Sequence, residues 1–233
     1  MSPSRARRVA AWGVHAFTAS GAVAGVLAIL ATVRGDVQTA FVAMAYTLFV
    51  DALDGTLARA LEVKIVLPAI DGARLDDVVD FSTYVVVPAV FLMTRGLLPD
   101  AVAFPVVAAM VAASGYGFGR TDAKTADHFF TGFPSYWNIV VFYLHLLGWP
   151  PALNAAVLVL LTVLVFVPFR YVYPSRTPAL RGLTVTLGGM WALACLWLLA
   201  TLDAPSRTLV HLTLLYPVYY VALSLALWRR RVS

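Results

Sequence analysis

Long apolar runs follow one another along almost the entire chain, and the charged residues collect in the short segments between them. An apolar stretch of about 20 residues is long enough to cross the hydrocarbon layer of a bilayer as a helix. We expect eight such helices, so the sequence predicts an all-α, polytopic membrane protein with a single domain over residues 1–233. The expected helices cover residues 9–33, 37–60, 72–93, 101–118, 136–147, 152–172, 179–202 and 207–228.

The composition supports this class. Charged residues make up only 12% of the chain and hydrophobic residues 61%. Because a soluble domain carries about 25% charged residues, the composition argues against a soluble protein with a large core. The net charge of +5 could suggest nucleic-acid binding, but excess Lys and Arg in a membrane protein belong to loops that face anionic lipid. We therefore expect membrane lipid, and no nucleic acid, as a partner.

The positive charges also predict the orientation of the chain. With eight spans and a cytoplasmic N-terminus, 14 of the 17 Lys and Arg residues fall in segments on the cytoplasmic side. The other 3 are Arg34, Arg95 and Arg207. Cytoplasmic loops of membrane proteins carry such an excess. The distribution therefore predicts that both termini are cytoplasmic.

The acidic residues are concentrated in one short stretch. Seven of the twelve lie within residues 51–80, at the expected cytoplasmic ends of the second and third helices. Carboxylates are costly in apolar surroundings unless they have a partner, and a divalent cation can satisfy several of them together. The seven are Asp51, Asp54, Glu62, Asp71, Asp76, Asp77 and Asp80.

Helical spacing separates four of these acids from the rest. Asp51 and Asp54 are three residues apart and Asp76 and Asp80 are four apart, so each pair shares one helix face. Antiparallel packing of the two helices would bring the four carboxylates together near the membrane surface. Oxygen ligands suit hard ions such as Mg²⁺, Mn²⁺ or Ca²⁺, and the stretch contains no Cys or His for zinc.

The other residues of the stretch have simpler expected roles. Asp71 fits the N-cap of the third helix, and Glu62 and Asp77 fit solvated or paired side chains. Gly55 leaves room for a bulky group, and Arg59 can reach a phosphate. Together with the four spaced acids, these residues indicate a site for a metal-bound pyrophosphate.

The fixed residues of this stretch follow the pattern D-x2-D-G-x2-A-R and then G-x3-D-x3-D, which resembles the signature of the CDP-alcohol phosphotransferases. All eight fixed positions are present. The gap of twelve residues between Arg59 and Gly72 is longer than in most of that family and is similar to the gap in bacterial phosphatidylcholine synthases. The segments HAFTASG and KTADHFFTGFPSYWNIVVF also resemble that branch, whereas Ala52 stands where glycine is expected.

The resemblance implies an enzyme that transfers the phosphatidyl group of CDP-diacylglycerol to choline, giving phosphatidylcholine and CMP. It implies two ions of Mn²⁺ or Mg²⁺, a homodimer, and an active site on the cytoplasmic side of the bacterial inner membrane. It implies that Asp80 takes the proton of the choline hydroxyl and that Asp76 is the other catalytic residue. The metal ligands would be Asp51, Asp54, Asp76 and Asp80. The nucleotide and its phosphates would be bound by Gly55, Ala58, Arg59 and Gly72.

Choline carries a quaternary ammonium group, which aromatic faces bind without hydrogen bonds. We expect four aromatic residues to bind it, although Trp and Tyr are also common at membrane interfaces. Asp122, Asp127 and His128 of the loop over residues 119–135 are further candidates. His15 either contacts the nucleotide or is a packing residue. The four aromatic residues are Tyr84, Phe130, Tyr136 and Trp137.

Three other functions fit parts of the pattern. The segment DDVVD matches a metal–diphosphate motif of aromatic prenyltransferases, but the chain has no second acidic motif. A cation transporter or channel would place its acids along a path through the membrane and not at one edge. A CDP-alcohol phosphotransferase with another acceptor, such as serine, inositol or glycerol 3-phosphate, stays open as an alternative.

Overall fold

The computed structural model describes residues 3–123, 125, 129–174 and 177–232, except for the side chains of residues 230–232. Asp127 and His128 lie outside the described residues. The described chain is almost entirely helical, as the sequence predicts. It divides into two compact units, Met1–Arg95 and Gly96–Ser233. The expectation of a single domain stays a prediction.

The first unit consists of helices that all pack on the first one. The long helix α1 is centred on a face of small residues, and the others surround this face. The elements are α1 (Arg5–Arg34), α2 (Val37–Ala60), the short α3 (Val63–Val66), α4 (Gly72–Asp80), a π-helical segment (Phe81–Val86) and α5 (Val87–Thr94).

Two glycines allow the close approach of α1 to its neighbours. A Cβ atom at Gly21 would lie 2.9 Å from Cγ1 of Val79, and one at Gly25 would lie 3.2 Å from Cγ2 of Thr83. Small residues four apart permit this kind of contact between membrane helices. The packing places α1 against the acidic part of α4.

The π-helical segment between α4 and α5 has an identifiable cause. Pro88 lies two residues beyond the end of this segment at Val86, and a proline ring clashes with the carbonyl group four residues earlier, here that of Tyr84. Helices accommodate such a clash by a kink or by one widened turn. The widened turn changes the direction in which Tyr84 points relative to the carboxylates of α4.

The second unit contains the remaining helices and one small antiparallel sheet of two strands. The pairing of Phe130 with Tyr171 sets the register of the sheet. The N–H of Val172 in the second strand donates a hydrogen bond to the hydroxyl oxygen of Ser224 at 3.0 Å. The elements are α6 (Asp100–Gly119), β1 (Phe129–Thr131), α7 (Trp137–Leu147), α8 (Pro151–Phe166), β2 (Arg170–Val172), α9 (Arg181–Ala200), α10 (Arg207–Thr213) and α11 (Leu215–Val232).

Gly132, directly after β1, holds the sheet against the end of α8. Its φ angle is +81°, and a Cβ atom there would lie 2.2 Å from the carbonyl oxygen of Val165. Only glycine fits both conditions. Its N–H donates to the carbonyl oxygen of Phe169 at 2.8 Å.

Prolines account for two differences from the expected helices. The helix expected over residues 152–172 ends at Phe166, because Pro168 cannot continue it, and residues 170–172 form β2 instead. The helix expected over residues 207–228 is interrupted at Leu214, three residues before Pro217. The ring of Pro217 conflicts with the carbonyl group of Thr213, where α10 ends.

Six helical stretches of the described chain are long and apolar enough to span a bilayer, when α4 to α5 and α10 to α11 are each counted as one stretch. Two further apolar helices, Trp137–Leu147 and Pro151–Phe166, are shorter, so the count of eight spans stays a prediction. Large apolar side chains point outward, such as Val23 (72% exposed) and Phe104 (71% exposed). Exposed apolar surface on this scale fits a lipid environment. The protein is an all-α, polytopic membrane protein.

Candidate functional site

Three carboxylates of the acidic stretch converge in the first unit. Asp51 of α2 and Asp76 and Asp80 of α4 each offer one oxygen atom, and these atoms all lie within 4.8 Å of one another. All three residues are half-buried. Asp76 and Asp80 lie one turn apart on α4, as the spacing predicts, and α2 and α4 both pack on α1. Such a group of oxygen atoms can hold a hard divalent cation.

Asp54 is placed differently from the other three acids. It is only 5% exposed, and its Oδ2 accepts a hydrogen bond from the hydroxyl of Thr18 in α1 at 2.9 Å. The group of three carboxylates does not include it. Its role as a metal ligand stays a prediction.

The three acids that were expected to cap a helix or to be solvated or paired are found in those roles. Asp71 caps α4 by accepting hydrogen bonds from the N–H groups of Ala73 and Arg74. Glu62 forms an ion pair with Arg7, and Asp77 is exposed. These three assignments are confirmed.

The residues expected to bind the nucleotide surround the end of α2. Arg59 extends over Gly55, where a Cβ atom would lie 3.2 Å from its Nη1, and it donates to Oγ1 of Thr56 at 3.0 Å. Ala58 packs against the apolar cluster formed by α1 and α3. The space that Gly55 leaves is therefore shared with the guanidinium group of Arg59.

His15 of α1 lies against Gly72, the first residue of α4. The side chain is 6% exposed, and a Cβ atom at position 72 would lie 3.2 Å from its Cε1. Nε2 of His15 has no hydrogen-bond partner within the described part of the chain. The histidine thus packs beside a residue of the signature and keeps a buried polar atom there.

Tyr84 contributes a polar contact that the sequence did not reveal. Its hydroxyl donates to Oδ2 of Asp51 at 2.5 Å, and the residue is 5% exposed. The sequence indicated Tyr84 for its aromatic ring and did not indicate a role for Thr18. Helix packing brings both hydroxyls to carboxylates, which spacing within one helix cannot predict.

The other expected choline-binding residues belong to the second unit. Trp137 is fully buried, and its Nε1 donates to Oγ of Ser114 at 2.7 Å. Phe130 and Tyr136 are half-buried and meet edge to face, with ring centroids 6.5 Å apart. The ring of Tyr173 also contacts Phe130, at 4.7 Å between centroids. Aromatic rings are therefore grouped around Phe130.

The carboxylate group lies within the residues that resemble the CDP-alcohol phosphotransferase signature, on the helices of a membrane protein. No family model matches the sequence. A phosphatidylcholine synthase of Legionella pneumophila is 42% identical over 222 residues, covering 92% of this chain and 87% of the relative. One of Bradyrhizobium diazoefficiens is 42% identical (89% and 76% covered), and one of Pseudomonas aeruginosa 34% identical (98% and 95% covered). The chain belongs to the phosphatidylcholine synthase family.

Proposed function

We propose that this protein transfers the phosphatidyl group of CDP-diacylglycerol to choline. The choline oxygen forms a bond to the phosphatidyl phosphorus, the bond from that phosphorus to the CMP oxygen breaks, and the choline proton passes to a base. The products are phosphatidylcholine and CMP. The convergence of Asp51, Asp76 and Asp80 within the signature is the observation that carries the proposal.

A divalent cation fits the carboxylate group. The donors are oxygen atoms only, they lie within 4.8 Å of one another, and they are half-buried. We infer that Asp51, Asp54, Asp76 and Asp80 hold Mn²⁺ or Mg²⁺, with two ions in the complete site. When bound, the ions supply neutralisation of the negative charge on the pyrophosphate.

Side chains of the protein accept the proton and bind the nucleotide phosphates. Asp80 stands at the end of α4 and is the base that accepts the choline proton. Arg59 offers its guanidinium group to the nucleotide phosphates, with Gly55, Ala58 and Gly72 forming the surrounding backbone. The acyl chains need no polar recognition, so a site at the membrane surface suits them.

For choline we propose aromatic faces, which attract a quaternary ammonium group. Tyr84 supplies one ring beside the carboxylates, and the half-buried Phe130 and Tyr136 supply rings in the second unit. Trp137 completes the proposed set. A leucine substitution at Phe130, Tyr136 or Trp137 should raise the KM for choline and leave the KM for CDP-diacylglycerol unchanged.

We propose that the acidic stretch lies at the cytoplasmic face of the bacterial inner membrane, where both substrates have access to it. The excess of Lys and Arg in the segments expected on that side supports this orientation. Free choline and the nucleotide product are both water-soluble, and the lipid substrate reaches the site from the bilayer. We further propose that the enzyme is a homodimer.

The test is the release of CMP from CDP-diacylglycerol by purified protein with Mn²⁺. Choline, serine, inositol and glycerol 3-phosphate are supplied in turn, and only choline should release CMP. Asp76→Asn should abolish the reaction, whereas Asp77→Asn, which alters the exposed neighbouring acid, should leave it intact. CMP release with a different alcohol alone would refute the choline assignment, and an active Asp76→Asn variant would refute the site.

A further inference from the structure

We propose that Thr18 and Tyr84 are positioning residues, each of which donates its hydroxyl to one carboxylate of α2 and so orients Asp54 and Asp51 for the divalent cation. The inference rests on the proposed metal-dependent transfer. Both hydroxyls come from other elements than α2: one from α1 and the other from the π-helical segment. The carboxylates are thus fixed by the packing of three elements.

The contact between Tyr84 and Asp51 is short and partly buried. Its oxygen–oxygen distance of 2.5 Å lies at the lower end of the range for a hydroxyl bound to a carboxylate. Tyr84 is 5% exposed, so its ring has little freedom to turn away. Since Pro88 causes the widened turn, the local backbone that presents Tyr84 is also built into the sequence.

The contact between Thr18 and Asp54 is buried. Both residues are 5% exposed, and the distance between Oγ1 and Oδ2 is 2.9 Å. The hydroxyl also lies 3.3 Å from the carbonyl oxygen of Val14, a longer and weaker contact. Gly21, one turn further along α1, fixes the approach of this helix to α4. Thr18 is therefore held at a defined place beside Asp54.

A hydroxyl donor on one carboxylate oxygen restricts the rotation of the whole carboxylate. It also determines which oxygen remains for a cation. Removing partners of this kind typically costs about 10- to 100-fold in metal affinity. Because Asp51 and Asp54 each have such a partner, the pair is oriented before an ion arrives.

Two substitutions at Tyr84 separate this role from a role in choline binding. Tyr84→Phe keeps the ring and removes the hydroxyl, so it should weaken metal binding and leave the KM for choline unchanged. Tyr84→Leu removes both and should affect both quantities. A Tyr84→Phe variant with a raised choline KM and normal metal affinity would overturn the positioning role.

The experiment is a titration of purified protein in detergent with Mn²⁺, without substrates, in which electron paramagnetic resonance measures the free ion. Thr18→Val and Tyr84→Phe should each weaken binding about 10-fold or more, and Thr18→Ser should restore it to near the wild-type value. The matched controls are Thr32→Val and Tyr46→Phe. Thr32 is a buried threonine of α1 that donates to the carbonyl of Ala28, and Tyr46 of α2 contacts Ser20.

Wild-type Mn²⁺ affinity in Thr18→Val and Tyr84→Phe would overturn the inference. So would equal losses in the Thr32→Val and Tyr46→Phe controls, since these would show a general effect on folding. Melting temperatures measured without metal identify any such effect. Release of CMP by the wild-type protein with choline is measured on the same preparation, so the proposed function can stand when this inference falls.

Discussion

The imidazole ring of His15 lies directly against Gly72: a Cβ atom at position 72 would come within 3.2 Å of Cε1 of His15. This distance is shorter than ordinary van der Waals contact. The signature glycine is therefore needed for the close packing of α4 against His15 of α1. Asp76 stands one turn further along α4, so a shift at Gly72 is transmitted to a carboxylate of the site.

Gly72→Ala should lower the rate of CMP release, because the added methyl group displaces either His15 or the start of α4. A displacement of about 1 Å can cost about 100-fold in rate, and a shift of a few tenths should cost about 10-fold. Steady-state kinetics with CDP-diacylglycerol and choline measures this. The control is Gly13→Ala, whose Cβ atom would meet nothing within 4 Å. Equal activity of the two variants would contradict the packing argument.

The crossing of α1 and α4 at Gly21 makes a prediction about stability. The Cβ atom of Gly21→Ala would lie 2.9 Å from Cγ1 of Val79, and overpacking of this kind costs about 1–3 kcal/mol. Chemical unfolding in mild detergent should show Gly21→Ala to be less stable than Gly13→Ala by that amount. Similar unfolding free energies for the two variants would mean that α1 and α4 move apart to accommodate the added methyl group without a cost in stability, which would contradict this prediction.

Arg59 should recognise the phosphates of CDP-diacylglycerol through its planar guanidinium group. A hydrogen bond to a charged group contributes about 1.5–3 kcal/mol, so Arg59→Lys should raise the KM for CDP-diacylglycerol about 10- to 100-fold. The KM for choline should not change.

The matched control for Arg59 is Arg74→Lys. The side chain of Arg74 is 87% exposed and pairs with Asp71, so its replacement should leave both KM values near those of the wild type. An unchanged KM in Arg59→Lys, or an equal increase in Arg74→Lys, would remove Arg59 from the phosphate site.

The sequence predicted those parts of the site that depend on spacing within one helix. Asp76 and Asp80 share a face because of the helical repeat, and Asp51 lies near them because α2 and α4 both pack on α1. The contacts of Thr18 and Tyr84 depend on helix packing and on a π-helical turn. Periodicity carries no information on either.

In the fold, too, local sequence patterns predicted some features and did not predict others. Apolar runs located the long helices, and the second helix was predicted with its observed ends, Val37–Ala60. The sheet was not expected, because its strands are about 40 residues apart and only three residues long. The effect of Pro168 and Pro217 on the later helices could have been predicted from the sequence.

Asp36 makes the stability of the first unit dependent on pH. Hydrogen bonds from the side chain and the backbone of Thr39 lower the pKa of Asp36, the N-cap of α2, below 3.8. A lowered pKa in the folded state means that the stabilisation is present above pH 3.8 and is lost as the pH falls through the lower value.

Asp36→Ala should therefore melt below the wild type at neutral pH, and the difference should shrink as the pH falls below about 4. Asp36→Asn keeps an uncharged cap. The difference in melting temperature between Asp36→Asn and Asp36→Ala should therefore depend less on pH than the difference between the wild type and Asp36→Ala. Melting curves of the three proteins across this range measure the effect. A difference between wild type and Asp36→Ala that is the same at acid and neutral pH would contradict the assignment.

The central claim is that the choline hydroxyl attacks the phosphatidyl phosphorus. The direct measurement uses choline that carries a heavy oxygen isotope in its hydroxyl group, with CDP-diacylglycerol and Mn²⁺, and analyses both products by mass spectrometry. The label should appear quantitatively in phosphatidylcholine, with one unlabelled CMP formed for each molecule of lipid. Phosphatidylcholine without the label, or CMP release with no phosphatidylcholine formed, would contradict the account.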